Sequence, residues 1–258
     1  MLNGLDLFSG IGGISIALKQ WVRPIAYCEI DPYCQGVLLS RMSDGRIPYA
    51  PIWDNVTTLQ GLPFRGHIDI IYGGFPCQDI SIAGNGKGLA GERSGLFFEI
   101  MRLAKEIKPK FIFLENVPAI TSRGGWECLH TISALGYDCR WCVISAASVG
   151  ALHLRERWFL LAFSSSKSSN LQMADPMRQR LENGKEKRQS EITKVSTLGS
   201  DWNKERIRLW QETVSSMDRT SNGIPNQVDR IKSLGNSVVP CQAKEAFKIL
   251  MGLTHTSR

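Results

Sequence analysis

The sequence predicts an α/β fold: one sheet with helices on both faces. Three observations predict it. Strand-like and helix-like segments alternate through the first 163 residues, as such layered folds require. Strand-like runs end in glycine turns, at Ser9–Gly13 and at Gly73-Gly74. The chain of 258 residues is 43% hydrophobic and 21% charged, enough apolar material for a real core. No apolar run is long enough to span a membrane.

Leu2–Phe8 reads as a buried strand, and Ile14–Gln20 as the helix opened by the glycine turn. Pro24–Ile30 is a second strand and Pro32–Arg41 a second helix, with Asp31 placed to cap it. His67–Gly73 is a further strand. Within Glu92–Ile107, residues Leu96, Phe97, Ile100, Leu103, Ala104 and Ile107 recur at helical spacing and share one face. Lys110–Leu114, Tyr137–Ser145 and Arg157–Phe163 complete the strands. At Ser164 the pattern changes to a serine-rich linker. From there to about Asp229 apolar residues are too few for a large independent core. Ser237–Met251 is apolar and helical again, and should dock back on the first unit. The expected units are residues 1–163, 164–229 and 230–258.

The formal net charge is +7, which favours a polyanionic partner. Residues 164–232 carry 13 Lys and Arg against 9 Asp and Glu, so the basic excess is concentrated there. Seven cysteines at irregular spacing argue against a disulfide framework and for a reducing compartment. Cys139 and Cys142 form a lone C-x-x-C with no second ligand pair, so no metal site is expected. Met1–Gly10 has no basic stretch of the signal-peptide kind, so the expected location is the cytoplasm.

Three strand ends carry residues suited to chemistry. The turn Phe8-Ser9-Gly10-Ile11-Gly12-Gly13 lets a ligand approach the backbone at a helix start. A plain structural turn explains it equally well. Glu29, 17 residues beyond Gly12, suits the two hydroxyls of a ribose, and Asp54 could accept from an adenine amino group. Gly73-Gly74-Phe75-Pro76-Cys77-Gln78 puts a cysteine just past a strand end, where ligands bind in open α/β sheets. The competing reading is a buried structural cysteine. Glu115, in Phe113-Leu114-Glu115-Asn116-Val117, can face that edge and do acid/base work, or simply cap the next helix.

Taken in order, Asp6–Gly13, Glu29, Asp54, Gly74-Phe75-Pro76-Cys77-Gln78, Glu115-Asn116-Val117, Arg155-Glu156-Arg157 and Gly235-Asn236-Ser237-Val238 resemble the cytosine-5 DNA methyltransferase family. The match runs over 2–163 and 231–250. The resemblance implies a Rossmann-like, S-adenosylmethionine-dependent methyltransferase sheet with a small, mostly irregular target-recognition region at 164–229. It implies methyl transfer to carbon 5 of a flipped-out cytosine in double-stranded DNA, with Cys77 as covalent nucleophile and Glu115, Arg155 and Arg157 serving the base. Phe8, Gly10, Ile11, Gly12, Glu29, Ile30, Asp54, Pro76, Leu96, Asn236 and Val238 match cofactor-lining positions. His153 stands where the family pattern has a glutamine before the two arginines, which weakens any role for that side chain. The segment Asp79–Arg93, glycine-rich with Lys87 and Arg93, reads as a loop that closes over DNA. A monomer is expected, and a separately acting restriction endonuclease is compatible with the resemblance. Methylation of RNA, or a catalytically inactive DNA-binding relative, are the alternatives; intact Cys77, Glu115 and Arg157 speak against the second.

Overall fold

Runs such as Leu5–Leu7, Ile70–Tyr72 and Ile112–Leu114 are buried on both sides, as central strands of a covered sheet must be. In the computed structural model, which describes residues 1–76, 95–122, 124–164 and 238–253, they form the middle of one seven-stranded sheet. Its strands are β1 (Leu2–Leu7), β2 (Val22–Cys28), β3 (Ile52–Trp53), β4 (Ile70–Gly74), β5 (Phe111–Asn116), β6 (Tyr137–Ser145) and β7 (Glu156–Ser164). Their spatial order is β3-β2-β1-β4-β5-β7-β6. The first five lie parallel, and β7 runs antiparallel to both its neighbours. The order reverses between β1 and β4, which makes the carboxyl ends of these two strands the expected crevice.

The faces are covered unequally in kind. On one side pack α3 (Gly95–Ile107) and α4 (Gly125–Ala134), with Phe97, Ile100, Leu103 and Ile132 against Leu5, Ile71, Ile112 and Leu160. On the other lie α1 (Gly13–Leu18) and α5 (Pro240–Met251), with Ala243, Ala246 and Phe247 against Ile14, Phe113 and Phe159. The Phe247 ring meets Phe113 edge-on at 5.3 Å between centroids. Helix α5 thus packs on the same face of the sheet as α1. Between them, α2 (Pro32–Ser43) rests on Tyr27 through Leu38 and Met42. Asp31 caps it as expected, its carboxylate accepting from the N–H groups of Tyr33 and Cys34, with Pro32 in the first turn.

Several boundaries differ from the sequence reading. The second strand is Val22–Cys28, not Pro24–Ile30. Pairing of Leu2 with Val22 draws its start inward, and an extra residue, Ile25, lies between the partners of Gly4 and Leu5. Ile30 consequently stands beyond the strand end and is 69% exposed. The first helix ends at Leu18, where the Trp21 N–H closes on the Leu18 carbonyl. Strand β3 and helix α4 were not anticipated. Cys139 and Cys142 lie three apart on β6 and point to opposite faces, one toward each core layer, so they cannot share a ligand. No helix among the described residues is long and apolar enough to cross a membrane.

Candidate active site at the strand ends

The turn after β1 is built from unusual backbone. Gly10 and Gly12 have φ of 51° and 80°, and Phe8, which has a side chain, sits at 53°. A left-handed aromatic residue costs energy and is held by what surrounds it. Here Ser9 is pinned, its N–H to the Cys28 carbonyl and its hydroxyl to the Asp6 carbonyl. A Cβ on Gly10 would meet nothing within 4 Å, so that side of the turn is open. On the other side, Arg41 of α2 donates to the Ile11 carbonyl.

Glu29 follows β2 directly, and its carboxylate is buried beside this turn. One oxygen accepts from the Gly10 N–H at 2.6 Å, the other from the Asp31 N–H at 2.8 Å. Next to it stand the exposed Ile30 and, past β3, the exposed Asp54. Val238, at the entry to α5, lies against the turn: a Cβ on Gly13 would come within 3.1 Å of it. Ile11 and Gly12 are buried and Phe8 half-buried in the same turn; Leu96 is half-buried at the start of α3, and Pro76 is exposed past β4. An acid, an apolar surface and an open left-handed turn at one sheet edge suit an adenosine-bearing ligand.

Glycines make room between β4 and β5. A Cβ on Gly73 would fall 1.9 Å from the Leu7 carbonyl oxygen, and one on Gly74 would fall 2.5 Å from a Glu115 carboxylate oxygen. Only glycine lets the Glu115 side chain lie over its register partner Gly74. Glu115 is 8% exposed, so it is not a solvated acid. Burial pushes its carboxyl up to about 7, against the pull of the Arg157 and Arg155 guanidinium charges. Arg157 Nε donates to Glu115 Oε1 at 2.7 Å. Because β7 runs backward, its first residues lie at the edge where the other strands end. Arg155, Glu156 and Arg157 enter the site that way, lining an open cleft with Pro118, His153 and Leu154. Asn116 is buried behind Glu115 and donates to the Phe75 carbonyl, tying β5 to the segment that leads to Cys77.

Cys77, Asn236, the loop Asp79–Arg93 and residues 165–229 lie outside the described residues. The structure does bring together Glu115, Arg155 and Arg157 on one side and Phe8–Gly12, Glu29 and Val238 on the other. Residues that sequence reasoning missed are polar anchors. Arg102 of α3 donates to the Val56 and Leu59 carbonyls, holding the stretch after Asp54. Gln242 of α5 donates to the Ile144 and Arg155 carbonyls. Neither stands in a motif; each binds backbone far away in sequence.

A sheet with a reversed seventh strand and its polar groups at one edge defines a Rossmann-like α/β domain with a buried acid, Glu29, at its glycine turn and a buried carboxylate–arginine pair, Glu115 and Arg157, further along the same edge. Residues 2–236 match the family described as C-5 cytosine-specific DNA methylase, and the chain belongs to that family. Its relatives include the type II methyltransferase M.CviJI of Paramecium bursaria Chlorella virus IL3A, 38% identical over 61% of this chain and 42% of that protein. The type II methyltransferase M.HhaI of Haemophilus parahaemolyticus is 34% identical over 68% and 53%. The chain thus spans about half the length of the curated relatives it matches. Among solved structures, one described as a DNA modification methyltransferase encoded within a prophage (E. coli) superposes with a TM-score of 0.51 at 27% identity, over 64% of this chain and 47% of that one. The S. pombe Dnmt2 methyltransferase shares the fold at a TM-score of 0.53 and 23% identity, over 64% and 51%.

Proposed function

We propose that this chain transfers a methyl group from S-adenosylmethionine to carbon 5 of cytosine in double-stranded DNA. The observation that carries this reading is the buried Glu115, paired with Arg157 and laid over Gly74 three residues before Cys77. Family membership supports the same chemistry.

S-adenosylmethionine, when bound, supplies an electrophilic methyl group. Glu29 would hold its ribose, Ile30 would pack on its adenine and Asp54 would meet the adenine amino group. Phe8, Gly10, Ile11, Gly12, Pro76, Leu96, Asn236 and Val238 would complete that pocket. Cytosine carbon 5 is a poor nucleophile. Addition of the Cys77 thiolate to carbon 6 makes it one, and the same thiol leaves when the carbon-5 proton is lost. A carboxyl that keeps its proton near neutral pH can donate to ring N3, which is what burial does for Glu115. Arg157 and Arg155 then fix that carboxyl and face the base. The base must leave the duplex to reach these groups.

Residues 1–163 would catalyse and bind cofactor, 164–229 would choose the target, and 230–258 would complete the pocket. The enzyme would work as a monomer in the cytoplasm, any companion restriction endonuclease acting separately.

The test is label transfer from tritiated S-adenosylmethionine to DNA and, in parallel, to transfer RNA, with bisulfite reads locating the base. We expect labelled cytosines in DNA only. Cys77→Ser should abolish transfer while leaving cofactor affinity intact, and DNA carrying 5-fluorocytosine at the target should stay covalently attached to the wild type. Label in RNA alone, or near-normal turnover by the serine variant, would overturn the reading.

A further inference from the structure

We propose that Gln242 is a positioning residue: through the backbone carbonyls of Ile144 and Arg155 it fixes the start of β7, and so sets Arg155 and Arg157 against Glu115. This rests on the methyl-transfer reading above.

Gln242 is completely buried at the first turn of α5. Its amide nitrogen lies 2.9 Å from the Ile144 carbonyl and 2.5 Å from the Arg155 carbonyl. A primary amide nitrogen carries two N–H groups and can donate to both at once. Turning the amide over would set its oxygen against two carbonyl oxygens, so the assignment of nitrogen and oxygen is dictated by the neighbours. Ile144 is the register partner of Arg157 across the β6–β7 ladder. One side chain therefore grips the rung that bears Arg157 and the residue two before it. The Arg155 carbonyl is held twice, since the Ala146 N–H also donates to it at 2.9 Å.

That rung matters because Arg157 has to meet Glu115 from the opposite strand direction. Its guanidinium reaches Glu115 at 2.7 Å only while the first residues of β7 stay in register with β6. The charged groups that bear on Glu115 are Arg157 and Arg155; Glu156 and His153 line the adjoining cleft, and β4 offers only glycine. Both arginines pull the Glu115 proton affinity down. A loosened β7 start would weaken that pull, and Glu115 would hold its proton to higher pH.

The experiment uses the whole chain with its glutamate side-chain carboxyls labelled with carbon-13, and Glu115→Gln to assign the Glu115 signal. In Gln242→Met, which keeps the volume and loses both donors, the Glu115 midpoint should rise by about half a pH unit or more. The falling limb of the kcat profile should move up with it. At fixed neutral pH the misplacement of Arg157 and Arg155 should outweigh the gain in protonated Glu115, so kcat should fall about tenfold while KM for S-adenosylmethionine holds. Gln242→Asn keeps the amide but is one methylene too short to reach both carbonyls, and carries the same expectation should the methionine variant fail to fold. A Glu115 midpoint and kcat profile unchanged in a folded variant would reduce Gln242 to packing and overturn the proposal. A wild-type chain that methylates no cytosine would sink the methyl-transfer reading, and the titration, which needs no substrate, would still decide Gln242.

Discussion

At the scale of single residues, the site depends on carboxyls kept out of water. Asp6 is 1% exposed on β1 and accepts from the Ser15 hydroxyl at 2.6 Å, which in turn accepts from the Tyr72 hydroxyl at 2.7 Å. Burial raises Asp6 to about 7 despite its hydrogen bonds from Ser15 and Ser9, and the Glu29 charge adds to the rise. Unfolded, it would titrate near the ordinary 3.8. The native state thus binds the extra proton between these values. Asp6 stabilises the fold most below about pH 4, and that contribution drains away as pH climbs to about 7. Asp6→Asn can still accept from Ser15 and has no charge to bury. Its urea midpoint relative to wild type should therefore improve steadily from pH 4.5 to 7.5; an offset that stays constant with pH would show that Asp6 does not titrate in this range. Asp6 was legible only as part of a motif, because its burial depends on Ser15 and Tyr72, brought together from α1 and β4.

At the scale of elements, α3 joins the core to the site. Its apolar stripe was plain in the sequence at helical spacing, and the structure buries Phe97, Ile100, Leu103, Ala104 and Ile107 as that spacing implies. Its polar face was not legible. Arg102, Glu99 and Glu106 look like an ordinary solvated face, yet Arg102 clamps the Val56 and Leu59 carbonyls and Glu106 accepts from the Gly61 N–H at 2.7 Å. The other side-chain bonds of the segment after Asp54 are short-range, among Trp53, Asn55, Thr57 and Thr58, so Arg102 and Glu106 are what tie it to α3. Arg102→Met should lower S-adenosylmethionine affinity roughly 3- to 30-fold, the loss of one or two charge-assisted hydrogen bonds shared with solvent. Calorimetry at fixed salt would measure it, and unchanged affinity would mean that this stretch orders itself. Helix α4 escaped notice for a related reason. It buries only Gly125, Cys128 and Ile132 and leaves Trp126 81% exposed, too thin a stripe to stand out. Strand β3, two residues long, has no period to read.

At the scale of the whole molecule, the alternation of segments made the α/β class legible, and the direction of β7 was not. Both Tyr137–Ser145 and Arg157–Phe163 read as strands, but nothing local says that the second inserts between β5 and the first. That insertion follows from burial, since Trp158 through Phe163 is apolar on both faces and cannot form an edge. The last helix then covers what the insertion leaves open. Without α5, Ile14, Phe113 and Phe159 would face water, and Gln242 could not tie the Arg155 strand. A chain ended at residue 237 should lose its cooperative urea transition and bind hydrophobic dyes as a partly packed state does. A sharp transition with no dye binding would show that the sheet closes unaided.

The late position of α5 in the chain has a consequence during synthesis. The sheet is complete once residue 164 has emerged, but its cover, Pro240–Met251, comes 87 residues after Ser164 at its far end. At ribosomal rates of about 5–20 residues per second, that gap lasts roughly 4–17 s, long compared with the time strands need to pair. For that interval Ile14, Phe113 and Phe159 lack the cover that α5 gives them. Slowing translation between the sheet and the final helix should therefore raise the fraction lost to aggregation.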